Sequence, residues 1–256
     1  FKGRTISGTI AVKYGHIEPL ECIQTIEAGH PIPDENSVLA ARKIKEIAAN
    51  ADEKTLVINL ISGGGSALLA SPIEPGPEAG NFKLTLDDLQ KTTGLLLASG
   101  ATINEMNCVR KHLSSIKGGR LAALMHPATQ VNLILSDVVG DRLDVIASGL
   151  TAYDETTYEE ALHILEKYSI EKKVPEGVLT VFRAGEKGLL LETPKKNDPV
   201  FEKVHNVIIG STYTALTAAC RKAKELGYNT VMLSSRIIGE AREVAKFYAG
   251  IAKDEG

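Results

Sequence analysis

Ser62, Gly63, Gly64, Gly65 and Ser66 are the first residues of the chain whose types and spacing suit chemistry. They follow an apolar run, residues 55–61, and precede Ala67, Leu68 and Leu69, so a strand enters three glycines and leaves as a helix. Glycines at such a turn let backbone N–H groups approach a phosphate, the helix start adds unpaired donors, and Ser62 and Ser66 add hydroxyls. This predicts an anion cradle that binds a phosphate-bearing cofactor. The string is not a P-loop, since no Gly-Lys-Ser/Thr follows, and not a dinucleotide fingerprint, since Leu68 stands where the third glycine belongs. The competing reading is a tight turn that only packs a helix on its strand.

Arg110, Lys111, Lys117 and Arg120 place four cations within eleven residues of a chain whose net charge is -3. On a helix over residues 103–116, Asn107, Arg110, Lys111 and Ser114 share one face, while Val109, Leu113 and Ile116 form another. Such a cluster suits carboxylate or phosphate recognition, although basic residues near a helix C-terminus also complement its dipole. Ser136 and Asp137 end a second apolar run, residues 131–135, and Gly140 and Asp141 follow in a loop. Ligand sites of open α/β sheets lie at that edge. A carboxylate there binds Mg²⁺ together with waters and phosphates, or takes a proton from a hydroxyl; capping a turn is the alternative role for Asp137 and Asp141. His30, in Gly29-His-Pro-Ile-Pro-Asp34, has acid–base capacity, yet a histidine in such a rigid loop more often satisfies backbone groups, and Asp34 is placed to cap the next helix.

The elements that must hold these residues alternate. Strands are predicted at residues 9–12, 25–27, 56–61, 131–135, 207–209 and 230–233, and helices at 37–49, 86–99, 103–116, 157–168, 213–226 and 240–253. This is the pattern of an α/β fold with a doubly wound, mostly parallel sheet, Rossmann-like, with helices on both faces and central strands buried on both sides. Residues 171–199, rich in Lys, Glu, Pro and Gly, read as a linker or surface excursion. Residues 1–200 are expected to form one α/β domain and residues 201–256 to begin a second α/β region.

Composition narrows the partners. A slightly acidic balance gives no electrostatic footprint for nucleic acid or an anionic membrane, and no apolar run reaches the roughly 18 residues that span a bilayer. Small molecules and a second copy of the chain, as a homodimer, are the partners left. Cys22, Cys108 and Cys220 are odd in number and widely spaced, which fits a reducing, cytoplasmic setting. Phe1 opens directly on a turn and strand, so a longer fold is expected.

Five motifs in order, Gly29-His-Pro-Ile-Pro-Asp, Ser62-Gly-Gly-Gly-Ser-Ala, Asn107-x-x-Arg-Lys-His-Leu-Ser-x-x-Lys-Gly-Gly-Arg, Ser136-Asp-Val-x-Gly-Asp and Ile146-Ala-Ser-Gly, resemble the glycerate 2-kinase family, whose members often carry an associated MOFRL domain. The resemblance runs over nearly the whole chain. It implies phosphorylation of D-glycerate to 2-phosphoglycerate with ATP and Mg²⁺, in a cleft between two α/β domains. Combined with the residue-level reading, it assigns Ser62 to Ser66 to the nucleotide. Arg110, Lys111 and Asp137 are assigned to catalysis, Asn107, Lys117, Arg120 and His30 to the substrate, and Asp137 and Asp141 to the metal. By the same resemblance, segments that members of the family carry beyond both ends, the C-terminal MOFRL-type domain among them, are expected to lie outside these 256 residues. Leu150 stands where the family usually has proline, and Ser211-Thr212 replaces a turn that usually contains asparagine. Two other readings remain: a nicotinamide-dependent hydroxypyruvate reductase, against which the missing dinucleotide fingerprint speaks, and a non-catalytic module that binds a sugar-acid phosphate.

Overall fold

The computed structural model describes residues 5–74 and 83–254, together with Gly3; Phe1, on which the expectation of a longer fold rests, lies outside them. β1 (Gly8–Lys13) pairs in parallel with β2 (Ile23–Ala28), and α1 (Glu35–Ala49) packs on both. Asp34 caps α1 through a capping box with Ser37, as its position ahead of the helix predicts. β3 (Leu56–Ile61) passes through the glycines into a single helical turn, α2 (Gly65–Leu68). Three helices follow, α3 (Leu86–Ala98), α4 (Ile103–His112) and α5 (Arg120–Met125), and then β4 (Thr129–Leu135). The chain continues with α6 (Tyr158–Lys167), α7 (Glu176–Glu186), β5 (Val204–Gly210), α8 (Thr212–Glu225) and α9 (Ala241–Asp254).

The class is the α/β one expected, with parallel strands flanked by helices, but the strands form two sheets rather than one. β1 and β2 stand apart from a sheet ordered β3-β4-β5. Apolar runs encode burial and not pairing partners, so the sequence does not separate the two ladders. Nor are the strands buried on both faces: Leu56, Ile58 and Leu60 of β3 are exposed, and β4 buries only its inward residues, Gln130, Asn132 and Ile134. On that inward face Asn59 Nδ2 donates to Asn132 Oδ1 at 2.6 Å and Asn132 Nδ2 donates to Asn206 Oδ1 at 2.9 Å. Thr151 closes this amide ladder, its hydroxyl donating to Asn206 Oδ1 at 2.8 Å and its carbonyl accepting from Asn206 Nδ2 at 3.1 Å. The expected strand at residues 230–233 is irregular, since it pairs with no strand among the described residues.

Two apolar clusters make the core. One joins α3, α4, α6 and α7 through Leu96, Val109, Leu113, Leu165, Val181 and Phe182; the other joins β2, α1 and α5 through Ile26, Ala40, Ala41, Leu121 and Met125. Each fully buried large side chain contributes about 1.5–3 kcal/mol. The predicted linker is part of the first cluster. α7 buries Val178, Val181 and Phe182, and its Gly185, which reads as a helix breaker, lies against the ring of Tyr158, where a Cβ would collide with the ring atoms. Gly185→Ala, which in an open helix would stabilise by up to about 1 kcal/mol, is therefore expected to destabilise by about 1–3 kcal/mol in urea denaturation. A gain in stability would contradict this packing.

α4 ends at His112, not at residue 116. Segment 71–73 runs antiparallel to 113–115, with Ile73 N donating to Leu113 O at 2.9 Å and Ser115 N to Ser71 O at 2.8 Å, and these bonds draw the backbone out of the helix. The connection from α4 to α5 thus crosses from the first apolar cluster, at Leu113, to the second, at Ile116, and carries Lys117 with it. Leu150 is buried in the second cluster, and Ser211 caps α8 by accepting from Thr214 N, so both departures from the family pattern have a local role.

Candidate active site

Ser66 is the hub of the site. Its Oγ accepts from Arg110 Nη2 at 2.5 Å and from Lys117 Nζ at 3.0 Å, and it lies 2.8 Å from Ser148 Oγ, which donates to Asn107 Oδ1 at 3.3 Å. Lys117 Nζ also donates to Ser66 O at 2.8 Å and Leu69 O at 3.4 Å. Neither Arg110 nor Lys117 forms an ion pair among the described residues. Burial lowers the Arg110 guanidinium from its ordinary value, and burial followed by the charge of Arg110 pushes the Lys117 ammonium well below its own. Two cations without a counter-ion, gathered on one hydroxyl, form a site for an anion.

The glycines have a packing role beside the expected cradle. α2 is a single turn, too short to offer a dipole of any size, and the space beside each glycine is filled by protein: a Cβ on Gly63 would run into the Asp137 carboxylate, one on Gly64 would come within 2.9 Å of the His30 ring, and one on Gly65 within 3.0 Å of Ala147 Cβ. What Gly63 and Gly64 permit is the close approach of Asp137 and His30 to the backbone. Gly64 has φ +84°, a left-handed conformation that glycine adopts without penalty. His30 and Asp137, following the ends of β2 and β4, thereby each come up against the loop that ends β3. Both are exposed, and among the described residues neither side chain is occupied by a hydrogen bond, so His30 does not serve the loop backbone as its sequence context suggests.

Lys111 and Arg120 turn to other partners. One helical step, about 100°, turns Lys111 away from Arg110, to a buried ion pair with Asp154 at 3.1 Å, with Asp144 at 3.8 Å. Burial works to raise the Asp154 carboxyl, but Lys111, His112 and hydrogen bonds from Thr156 hold it below its ordinary value. Arg120 donates to the carbonyls of Lys111, Ser114 and Leu191 and to the Tyr158 hydroxyl, pinning segments together. Asp141 occupies a left-handed turn closed by its own N–H on Val138 O. Ser62 is exposed at the start of the glycine loop.

The back of the site is clamped by residues to which the sequence reading gives no role. His112, fully buried, has Nδ1 2.8 Å from Cys108 O and Nε2 2.7 Å from Glu192 Oε1. Burial alone would raise the Glu192 carboxyl, yet hydrogen bonds from His112, Thr193 N and Tyr158 N hold it down to about 2. This anchors residues 191–193, from the supposed linker, on α4 directly behind Arg110. Only tertiary structure brings Glu192 to His112, and no local sequence signal announces the pair.

The family described as a domain of unknown function, DUF4147, matches residues 2–183. A glycerate 2-kinase of Pyrococcus horikoshii is 44% identical over 96% of this chain and 53% of its own length. A protein of Agrobacterium vitis named for hydroxypyruvate reductase is 42% identical over 98% of this chain and 54% of its own. The crystal structure of a glycerate kinase from Thermotoga maritima superposes with a TM-score of 0.81 at 43% identity, covering 97% of this chain and 55% of that one. The chain spans about half the length of the curated relatives it matches.

Proposed function

The chain belongs to the glycerate 2-kinase family, matched through its DUF4147 domain, and on that premise we propose that the whole protein transfers the γ-phosphoryl group of ATP to the 2-hydroxyl of D-glycerate, giving 2-phosphoglycerate. The observation that carries the reading is the pair Arg110, half-buried, and Lys117, buried, converging on Ser66 with no ion-pair partner among the described residues. Phosphoryl transfer rests on positioning and on neutralising charge at oxygens, and two pre-placed cations answer that need. In this reading Ser62 to Ser66 border the phosphates of ATP, and Arg110 and Lys117 face the substrate carboxylate or the transferred group. Asn107 supports them from behind, and His30 and Asp137 are the acid–base groups at the rim. Lys111 and Arg120 shape the scaffold.

Mg²⁺ fits this set only in company with phosphate. Among the described residues no group of three or more His, Cys, Asp and Glu side chains could hold a metal ion, whereas Mg²⁺ at phosphates keeps several waters and takes one or two carboxylates. Asp137, free above Gly63, is the carboxylate placed for it. The ion would neutralise charge on the phosphates; the alternative use of Asp137 is to accept the proton of the attacking hydroxyl.

Substituting Gly64 by valine forces a β-branched residue into φ +84° and against His30. At about 1–3 kcal/mol of strain the loop is expected to rearrange, weakening binding of a non-hydrolysable ATP analogue roughly tenfold or more by calorimetry. Undiminished binding would separate the loop from the nucleotide.

The function itself is tested by ³¹P NMR of ATP, Mg²⁺ and D-glycerate incubated with the full-length protein. A new phosphomonoester assigned to position 2 is the expected result. Oxidation of NADH or NADPH by hydroxypyruvate in its place would favour the reductase reading, which the Agrobacterium relative's name supports. Ligand-induced stabilisation without turnover would make the protein a binding module.

A further inference from the structure

We infer that Ser148 is a positioning residue of the active site: its hydroxyl fixes the direction of the hydrogen-bond chain that turns the oxygen of Ser66 toward both cations. The inference rests on the phosphoryl-transfer reading and deepens it. Arginine and an ammonium lysine only donate. Arg110, at 2.5 Å, and Lys117, at 3.0 Å, therefore take the two lone pairs of Ser66 Oγ. The Ser66 proton is left with one neighbour, Ser148 Oγ at 2.8 Å, and the Ser148 proton in turn goes to Asn107 Oδ1 at 3.3 Å. Without the Ser148 oxygen, the Ser66 hydroxyl would be free to rotate and turn its hydrogen toward a cation, and the two cations would lose their common point.

The backbone at Ser148 is arranged at a cost for this purpose. Ala147, Ser148 and Gly149 are three successive residues in the left-handed region, with φ of +49°, +58° and +67°. Only glycine adopts it freely; the others are strained, and such strain persists only where the surroundings over-determine it. Here they do. Gly118 N donates to Ser148 O at 3.0 Å and Gly119 N to Gly149 O at 2.7 Å, from a partner segment that is itself left-handed. Glycine would suit the backbone at 148 better than serine. What serine adds is the hydroxyl, 1% exposed and aimed at Ser66 and Asn107.

The test uses the full-length protein with Ser148→Gly, and Ala147→Gly as the control for strain alone. Both variants are expected to melt at the same temperature as the wild type or higher, since each removes a strained side chain. Ala147→Gly should keep the wild-type rate. Ser148→Gly should lose roughly tenfold in kcat for D-glycerate phosphorylation, with a smaller change in KM for ATP. Full kcat in Ser148→Gly would overturn the proposal, as would a loss of rate matched by a fall in melting temperature, which is what a purely structural role gives. If the wild type does not phosphorylate D-glycerate, the functional reading fails by itself. The proposal is then judged on inorganic phosphate, whose thermal stabilisation of the wild type should exceed that of Ser148→Gly; equal shifts overturn it.

Discussion

Replacing Arg110 by alanine is expected to lower kcat for D-glycerate phosphorylation by on the order of a hundredfold or more, the scale of losing one pre-placed donor to developing charge. The guanidinium is held by α4, capped at Thr102 and packed through Val109 and Leu113, and its polar partner in the site is Ser66. Burial disfavours its charge, and no acidic side chain among the described residues repays that. Steady-state kinetics with Arg110→Lys as a second variant separates charge from geometry. Lysine restores the charge without the planar fork and should recover only part of the rate. Folding stability should hardly fall in Arg110→Ala, because no ion pair is lost, and an unchanged rate would remove Arg110 from the site.

Lys117→Met is expected to have an effect of similar size on turnover, again on the order of a hundredfold, and to change how stability depends on pH. The ammonium lies well below its ordinary value of 10.5 because it is buried and faces Arg110. Between its folded value and 10.5 the unfolded chain binds more protons than the folded one. The penalty from this group is therefore full at low pH and is relieved as pH rises, by up to about 1.4 kcal/mol per pH unit. Urea denaturation across that window should show the wild type gaining stability relative to Lys117→Met. A difference independent of pH would mean that Lys117 is not desolvated.

Much of the fold was legible because burial imposes periodicity. Residues 56–61 read as a strand and are one, and the Asp34 cap stands where its chemistry puts it. What was not legible depends on contacts distant in sequence. α4 looks longer than it is, because segment 71–73, which pulls the chain out of the helix, lies some forty residues upstream. α7 hides in a polar, glycine-bearing stretch because the Tyr158 ring, not the local sequence, asks for Gly185. The cations show the same limit. Composition gathers Arg110, Lys111, Lys117 and Arg120, and only contacts distant in sequence, such as the carboxylate of Asp154, divide them into two that face Ser66 and two that brace the scaffold. Ser148, within the Ile146-Ala-Ser-Gly motif, gave no hint of its conformation, since serine rarely takes a positive φ.

The amides of Asn59, Asn132 and Asn206 act as a proofreading device for assembly. Residues 56, 129 and 204 begin strands far apart in the chain, and a slip of two positions would keep every apolar side chain on its proper face, so the hydrophobic pattern alone cannot reject it. Such a slip sets Asn59 opposite Gln130 or Ile134 and takes the native partner from the buried Asn132 amide, at about 1–3 kcal/mol. The native register keeps all three satisfied. The same alignment levels the ends of β3 and β4, so that an error in pairing would also displace Asp137 from Gly63. A misaligned sheet would therefore lose its chemistry and its stability together.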